Sequence, residues 1–293
     1  MLQTQGLVRR FGERVAVDHL DFDVPDGELV GFVGGNGAGK TTTMRMIMGV
    51  LASDEGTITW DGAPVSTADR RSFGYMPEER GLYPKQSVIS QLIYLGRLQG
   101  LAKQAAADSA GRLLDRFDLR ERAADKLESL SLGNQQRVQI AAAVIARPRL
   151  LILDEPFSGL DPAAVDSMAD LLREHTARGV GVLFSSHQLE LVERLCDRLI
   201  VLSHGKIVAS GTADELRRQG AVRHRLTTGA DVAWVRGLDW LQVDSTDERT
   251  AVVRLTGPGD ADRLLREALE RGSVYELTEL IPTVADIFRK VTV

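Results

Sequence analysis

The stretch GGNGAGKTT, residues Gly34 to Thr42, decides how this chain is read. It satisfies the pattern G-x-x-x-x-G-K-[ST], and it sits between two segments of opposite character. Before it, Leu29 to Val33 reads as a buried strand; after it, Thr42 to Val50 reads as a helix. A glycine-rich bend between strand and helix turns several backbone N–H groups toward one anion. The helix N-terminus adds its own unpaired N–H groups and the positive end of its dipole. In such a loop Gly34, Asn36, Gly37, Ala38, Gly39 and Thr42 belong to the cradle for phosphate. Lys40 reaches the β- and γ-phosphates, and the Thr41 hydroxyl ligates Mg²⁺. ATP, or another nucleoside triphosphate, with its magnesium ion is the expected ligand.

A second segment, Leu150 to Pro156 (LLILDEP), complements the first. Its near-continuous apolar run reads as a parallel strand buried on both faces. Such a strand delivers its terminal carboxylates to the carboxyl edge of the sheet, where phosphate loops also lie. Asp154 can there hold Mg²⁺ through water, and Glu155 can orient or deprotonate an attacking water. An acidic pair at a strand end is otherwise simply solvated; the phosphate loop is what gives this one a task.

The rest of the chain supports an α/β protein. Its 293 residues allow one large core and a smaller one. With 43% hydrophobic and 26% charged residues it has the balance of a soluble globular protein. Apolar runs stay far short of the ~18 residues a membrane helix needs, and no signal-peptide pattern opens the sequence. The single cysteine, Cys196, excludes an intrachain disulfide and reads as a core residue. A formal net charge of −5 weighs against nucleic acid as the main partner.

Strands are expected over Leu2–Arg9, Asp18–Val24, Gly56–Trp60 and Ser72–Tyr75, with turns at Pro25–Glu28 and Asp61–Gly62. From Ser87 to Leu119 the chain turns rich in Ala, Leu, Gln and Arg and reads as two or three helices. Another helix spans Asn134 to Ala146 and stops at Pro148. Strand and helix then alternate: Pro162–Arg178 helical, Val180–Ser185 extended, Gln188–Leu195 helical, and a hairpin turning at His204–Gly205. A short helix over Thr212–Gln219 precedes a break at Gly220. Beyond it, Val222–Thr227, Thr250–Leu255 and Ser273–Leu280 read as strands, Asp260–Arg271 and Thr283–Val291 as helices. Trp234 and Trp240 anchor this smaller core.

Between the phosphate loop and the Asp–Glu strand lies LSLGNQQR, Leu130 to Arg137. Here the chain resembles the ATP-binding cassette (ABC) family, whose signature reads L-S-G-G-Q and opens a helix. Ser131 and Gly133 match; Leu132 and Asn134 stand where glycine and glutamine are usual. Read without the resemblance, Ser131 or Asn134 is a helix N-cap. The order of the elements favours the family. Phe11 fits the aromatic residue that stacks on adenine. Then come the phosphate loop, the loop Met76–Pro84, the signature, and Asp154–Glu155. Ser158 to Asp161 (SGLD) matches the dimer-contact loop, and His187 the switch histidine. The resemblance covers roughly Met1 to Gln219. His19, His175, His204 and His224 have no such context, and Met44, Met46 and Met48 read as packing.

The resemblance implies a P-loop NTPase cassette with a RecA-like core, an antiparallel β-subdomain and an α-helical subdomain at about 87–146. The cassette would occupy 1–219, followed by a small α+β accessory domain over 220–293. It implies an ATPase that energises export through a separate transmembrane permease, with two cassettes closing head to tail on ATP. Lys40, Glu155 and His187 would be catalytic. Ser131, Gly133 and Asp161 would meet nucleotide across the dimer, with Phe11 on the adenine and Thr41, Asp154 and Glu78 toward the metal. The protein would be cytoplasmic and peripheral on the inner face of the membrane. Leu82, Tyr83 and Pro84 would face the permease. The segment Glu279 to Val291 is similar to the end of an accessory domain of single-cassette exporters, through Pro282, Val284, Asp286, Ile287 and Phe288. A soluble cassette acting on ribosomes or DNA, and a degenerate regulatory cassette, are the competing readings. The single cassette disfavours the first, and the intact Lys40, Asp154, Glu155 and His187 disfavour the second.

One departure is chemical. Where the family generally has glutamine after Gly-Tyr-x-Pro, this chain has Glu78, in the form GYMPEERGLYP that resembles a sodium- and drug-efflux branch. A carboxylate binds cations more strongly than an amide oxygen but repels the γ-phosphate. Glu78→Ala is therefore expected to slow ATP hydrolysis more than Glu78→Gln does; equal rates in wild type and both variants would remove the metal role.

Overall fold

The computed structural model describes residues 1–79, 81–218, 222–280 and 283. It divides into two compact units, Met1–Thr212 and Ala213–Val293. The first opens with strands β1 (Leu2–Phe11), β2 (Arg14–Val24) and β3 (Leu29–Gly34) and helix α1 (Lys40–Ile47). Strands β4 (Glu55–Trp60) and β5 (Ala63–Pro64), helix α2 (Thr67–Arg71) and strand β6 (Phe73–Met76) follow. A helical stretch comes next: α3 (Val88–Leu98), α4 (Lys103–Arg116) and α5 (Leu132–Val144). The unit closes with β7 (Leu150–Leu153), α6 (Pro162–Thr176), β8 (Gly181–Ser186), α7 (Leu189–Leu195), β9 (Arg198–Ser203) and β10 (Lys206–Gly211).

Two sheets share one core in this unit. The first is antiparallel, in the order β2-β1-β4-β5; the second runs β10-β9-β3-β8-β7-β6. In the second sheet β6, β7, β8, β3 and β9 are mutually parallel, and β10 returns antiparallel as a hairpin. The hairpin turns at His204–Gly205, both with positive φ (49° and 80°), the geometry that matches the twist of the strands. Side chains from both sheets meet between them, with the Phe22 and Phe32 rings 5.2 Å apart and Trp60 and Phe73 5.1 Å apart. All four leucine and isoleucine side chains of β7 are fully buried, each contributing about 1.5–3 kcal/mol of transfer free energy. That is why its sequence shows no alternation. Met44 and Met46 are core residues under α1.

The helices and strands expected in the first unit are present with shifts of their ends. Helix α1 begins at Lys40 rather than Thr42, because Gly39 takes a left-handed φ of 104° as its N-cap. Helix α5 begins at Leu132, with Ser131 as N-cap accepting from the Asn134 N–H. The stretch from Ser87 to Leu119 holds two helices, α3 and α4, which approach closely at Gly96 and Ala106. Helix α2 has no counterpart in the sequence reading; a Ser66–Asp69 capping box starts it.

The second unit contains α8 (Ala213–Arg218), β11 (Arg223–Thr228), β12 (Leu241–Thr246), β13 (Thr250–Leu255), α9 (Asp260–Arg271) and β14 (Val274–Leu280). Its strands form an antiparallel sheet in the order β12-β13-β11-β14. Leu226, Val235, Ala251, Val253, Leu264 and Ala268 make the core, and Trp234 and Trp240 pack against it, half-buried. Arg271 and Arg263 lie over those two rings, each 4.3 Å from the centroid. Strand β12 was not expected. It is an edge strand that buries only Leu241 fully, so Gln242, Asp244 and Ser245 dilute its pattern. The helix read over Thr283–Val291 and the residues Pro282, Val284, Asp286, Ile287 and Phe288 lie outside the described residues, Thr283 excepted.

Helix α5 is pressed against β6. A Cβ on Gly74 would stand 2.3 Å from the Ala143 carbonyl oxygen, a backbone atom that cannot swing aside. Gly74→Ala is expected to destabilise the first unit by about 1–3 kcal/mol or more, read as a lower urea midpoint with unchanged slope. An unchanged midpoint would mean that helix and strand slide past each other freely.

Candidate functional site

The parallel register brings the carboxyl ends of β3, β6, β7 and β8 to one edge. Met76 lies beside Leu153, Leu153 beside Phe184, and Val33 beside Ser186. The residues that follow these ends therefore converge: the phosphate loop after β3, Glu78 after β6, Asp154 and Glu155 after β7, His187 after β8. A cavity of ≈ 380 Å³ opens there. Phe11, Asn36 to Thr42, Glu78, Asp154 and Glu155 all line it, with Arg14 and Ala16.

The loop is braced from behind. The Gly205 N–H, at the tip of the β9–β10 hairpin, donates to the Ala38 carbonyl (3.2 Å), and the Gly205 carbonyl accepts from the Asp18 N–H (2.9 Å). A Cβ on Gly39 would meet the Ala16 carbonyl oxygen at 2.6 Å, so the loop can lie this close to β2 only as glycine. The Lys40 ammonium is almost fully buried. It donates to the carbonyls of Gly34 (2.7 Å) and Gly35 (3.3 Å), and lies 4.0 Å from Glu155 Oε1.

Two carboxylates face it differently. Asp154 is 1% exposed; Ser185 Oγ donates to Oδ1, and Oδ2 is buried without a hydrogen-bond partner among the described residues. An anionic oxygen left unpaired in a dry place calls for a cation. Thr41 Oγ1 donates to Glu78 Oε2 at 3.4 Å, so hydroxyl and carboxylate already stand together on the cavity wall. No cluster of three His, Cys, Asp or Glu side chains able to cage a metal occurs among the described residues. A few protein oxygens plus phosphate and water is the coordination Mg²⁺ favours, so the residues fit it.

Glu155 is held on all sides. Its backbone takes φ 51°, a conformation uncommon for a side-chain-bearing residue, and the cost is met by three hydrogen bonds. Its N–H donates to Ser185 Oγ (2.8 Å), and Gln136 Nε2 donates to the carbonyls of Glu155 and Pro156 (3.0 and 3.1 Å). The side chain, 12% exposed, reaches His187 Nδ1 at 3.0 Å. Beside the site, burial and then the negative charge of Asp154 push the Tyr75 phenol above its ordinary value, so it stays neutral.

Other expected residues stand apart from the phosphate loop. Phe11 is half-exposed at the cavity mouth, with Arg9 5.0 Å from its ring centroid. Ser131 caps α5, Gly133 lies near the Gly159 carbonyl and Leu160, and Asp161 caps α6 by accepting from the Ala164 N–H. None of these three lines the cavity. Leu132, exposed, joins Asn36, Glu78, Glu155 and His187 along an adjoining groove of ≈ 330 Å³. Arg14, Gln136 and Ser185 were not singled out in the sequence. Gln136 and Ser185 act through residues distant along the chain, Arg14 lines the cavity from β2, and the one local signal was that Ser185 closes the apolar run of β8.

Known proteins resemble this chain in two stretches. Residues 17–158 match the family model described as ABC transporter, and residues 211–292 match that of the ATP-binding protein DrrA1-3-like, C-terminal domain. The chain is 48% identical over 218 residues to an uncharacterised ABC transporter ATP-binding protein, YhaQ, of Bacillus subtilis strain 168, covering 74% of this chain and 73% of that one. It is 35% identical over 219 residues to the linearmycin resistance ATP-binding protein LnrL of the same strain, covering 74% and 70%. A solved structure of an ATP binding subunit of an ABC transporter superposes with a TM-score of 0.69 at 34% identity, over 75% of this chain and 92% of that one.

Ser185 serves two residues of the site at once. Ser185→Ala would strip a donor from the buried Asp154 and leave the Glu155 N–H without its acceptor. The expected loss is about 1–3 kcal/mol of stability, read by urea unfolding, together with slower ATP hydrolysis; wild-type values of both would show that the hydroxyl is dispensable.

Proposed function

The chain belongs to the ATP-binding proteins of the ABC transporter family, which are ATPases, and from that premise we propose that it is the nucleotide-binding subunit of an exporter whose permease is a separate polypeptide. No helix among the described residues is long and apolar enough to cross a membrane, so the pathway would come from that partner. A 40% identity over 211 residues to a Nod factor export ATP-binding protein of Burkholderia lata supports export. The partner's cytoplasmic helix would dock after Glu78, at Leu82, Tyr83 and Pro84. This binding would hold the subunit against the inner face of the membrane.

One observation carries the catalytic reading: Glu155 stands between a buried ammonium, 4.0 Å away, and an imidazole, 3.0 Å away. Lys40 would turn from the Gly34 and Gly35 carbonyls to the β- and γ-phosphates when ATP fills the cradle. Loop N–H groups would take the β-phosphate, and Phe11 would cover the adenine. Bound Mg²⁺, held from Thr41 Oγ1, Asp154 Oδ2 and Glu78, would neutralise charge on the β- and γ-phosphates. Glu155 would accept a proton from the attacking water, and His187 would keep its carboxylate aimed. Phosphoryl transfer demands placement and charge stabilisation more than covalent chemistry, so these small displacements are sufficient.

Ser131, Gly133 and Asp161 do not line the chain's own cavity, which supports a second cassette as their client. Two chains, packed head to tail, would each close the other's groove at Asn36, Glu78, Glu155 and His187. ATP binding would close the pair and hydrolysis would reopen it, with the closed dimer excluding water from each site.

Glu155→Gln keeps shape and hydrogen bonding but removes the base. Hydrolysis is expected to fall by about 10²–10⁴, while size-exclusion chromatography in ATP shows a dimer that wild type forms only transiently. Wild-type turnover in this variant would overturn the catalytic assignment. Co-purification with ribosomes and no membrane protein would overturn the transport reading.

A further inference from the structure

Helix α5 carries a buried amide that the cassette reading does not use. Gln139 is 4% exposed, in a run otherwise made of apolar residues: Val138, Ile140, Ala141, Ala142, Ala143 and Val144. A side chain placed there for packing would be apolar, because a buried amide is costly unless both its ends are engaged. Its Nε2 donates to the carbonyls of Pro77 (2.8 Å) and Glu79 (3.3 Å). These carbonyls belong to the two residues on either side of Glu78. One turn earlier, Gln136 Nε2 grips the carbonyls of Glu155 and Pro156. Residues three apart lie on one helical face. One face of α5 thus holds the backbone under both carboxylates of the cavity rim, and its first turn is the signature segment.

We propose that Gln139 is a positioning residue for Glu78: by clamping the backbone on both sides of it, the amide sets the Glu78 carboxylate beside Thr41 and makes its placement depend on the seat of the signature helix. The need is specific to a carboxylate at this position. A neutral amide that strays toward the γ-phosphate does little harm, whereas a misplaced anion repels it. The clamp has a firm base, since α5 lies against β6, the strand that leads into Pro77, at the Gly74–Ala143 approach. Any shift of α5 on engaging a second chain would be passed to Glu78 through one side chain. This inference rests on Glu78 acting in the nucleotide site.

The test uses the full-length protein and Gln139→Met, which keeps length and packing but cannot donate a hydrogen bond. Hydrogen exchange without nucleotide or metal should quicken by about tenfold for the backbone at residues 76–79 and stay unchanged in β7. The Mg²⁺ concentration for half-maximal hydrolysis should rise by about 10–100-fold, the usual loss when a residue that orients a metal ligand is removed. In the Glu78→Ala background the same substitution should change that concentration less than twofold, as expected if it acts only through Glu78. An equal loss in both backgrounds, or unchanged exchange at 76–79, would overturn the proposal. If Glu78→Ala alone matches wild type, the metal role of Glu78 falls instead, and the exchange measurement still decides whether the clamp exists.

Discussion

A buried ammonium is the constraint from which the site follows. The Lys40 side chain is 7% exposed, and an unpaired charge at such depth would cost several kcal/mol. It is met by two loop carbonyls and, at longer range, by Glu155. This is a provisional settlement. Carbonyl oxygens are weaker partners than phosphate oxygens, so the lysine is satisfied enough to permit folding and unsatisfied enough to prefer an anionic ligand. The buried, unpaired oxygen of Asp154 is the same device with the sign reversed. The cavity holds a cation waiting for an anion and an anion waiting for a cation. On the reading proposed above, a metal-bound triphosphate would answer both.

Holding such groups apart is work for the sheet. Five parallel strands fix where their carboxyl ends fall, and hydrogen-bond register leaves little room for drift. The helices then set the side chains. Ser185 ties Asp154 to the Glu155 backbone, and α5 supports Glu155 through Gln136. Loss of any one of these would leave the fold recognisable and the carboxylates misaimed.

Residues whose meaning is local were legible in the sequence. The phosphate loop needs glycine at particular steps and a helix directly after it, and the Asp–Glu pair ends an unbroken apolar strand; both signals are contained within a few residues. The shape of the cavity was legible only in outline, because Arg14 lines it from β2 and Ser185, buried on β8, supports Asp154 and Glu155 from behind, roles that a short stretch of sequence does not reveal. Gln136 and Gln139 look like ordinary polar residues on a helix. What distinguishes them is the backbone they meet after folding. Strand β12 escaped for a different reason: one solvated edge leaves too few buried positions to establish a period. Ser131, Gly133 and Asp161 remain helix caps and loop contacts within a single chain.

The hairpin tip at Gly205 has a consequence for how nucleotides exchange. Because it grips Ala38 from behind while also binding Asp18, the cradle's curvature is set by the chain's own backbone hydrogen bonds. Little chain entropy is then spent on ordering it, so binding energy is not consumed in folding a loop. A rigid cradle also sees the same β-phosphate in ATP and in ADP. It would not distinguish fuel from product by changing shape, and on the reading proposed above that discrimination would fall to the opposite wall of the cavity, where Glu155 and His187 would meet the third phosphate.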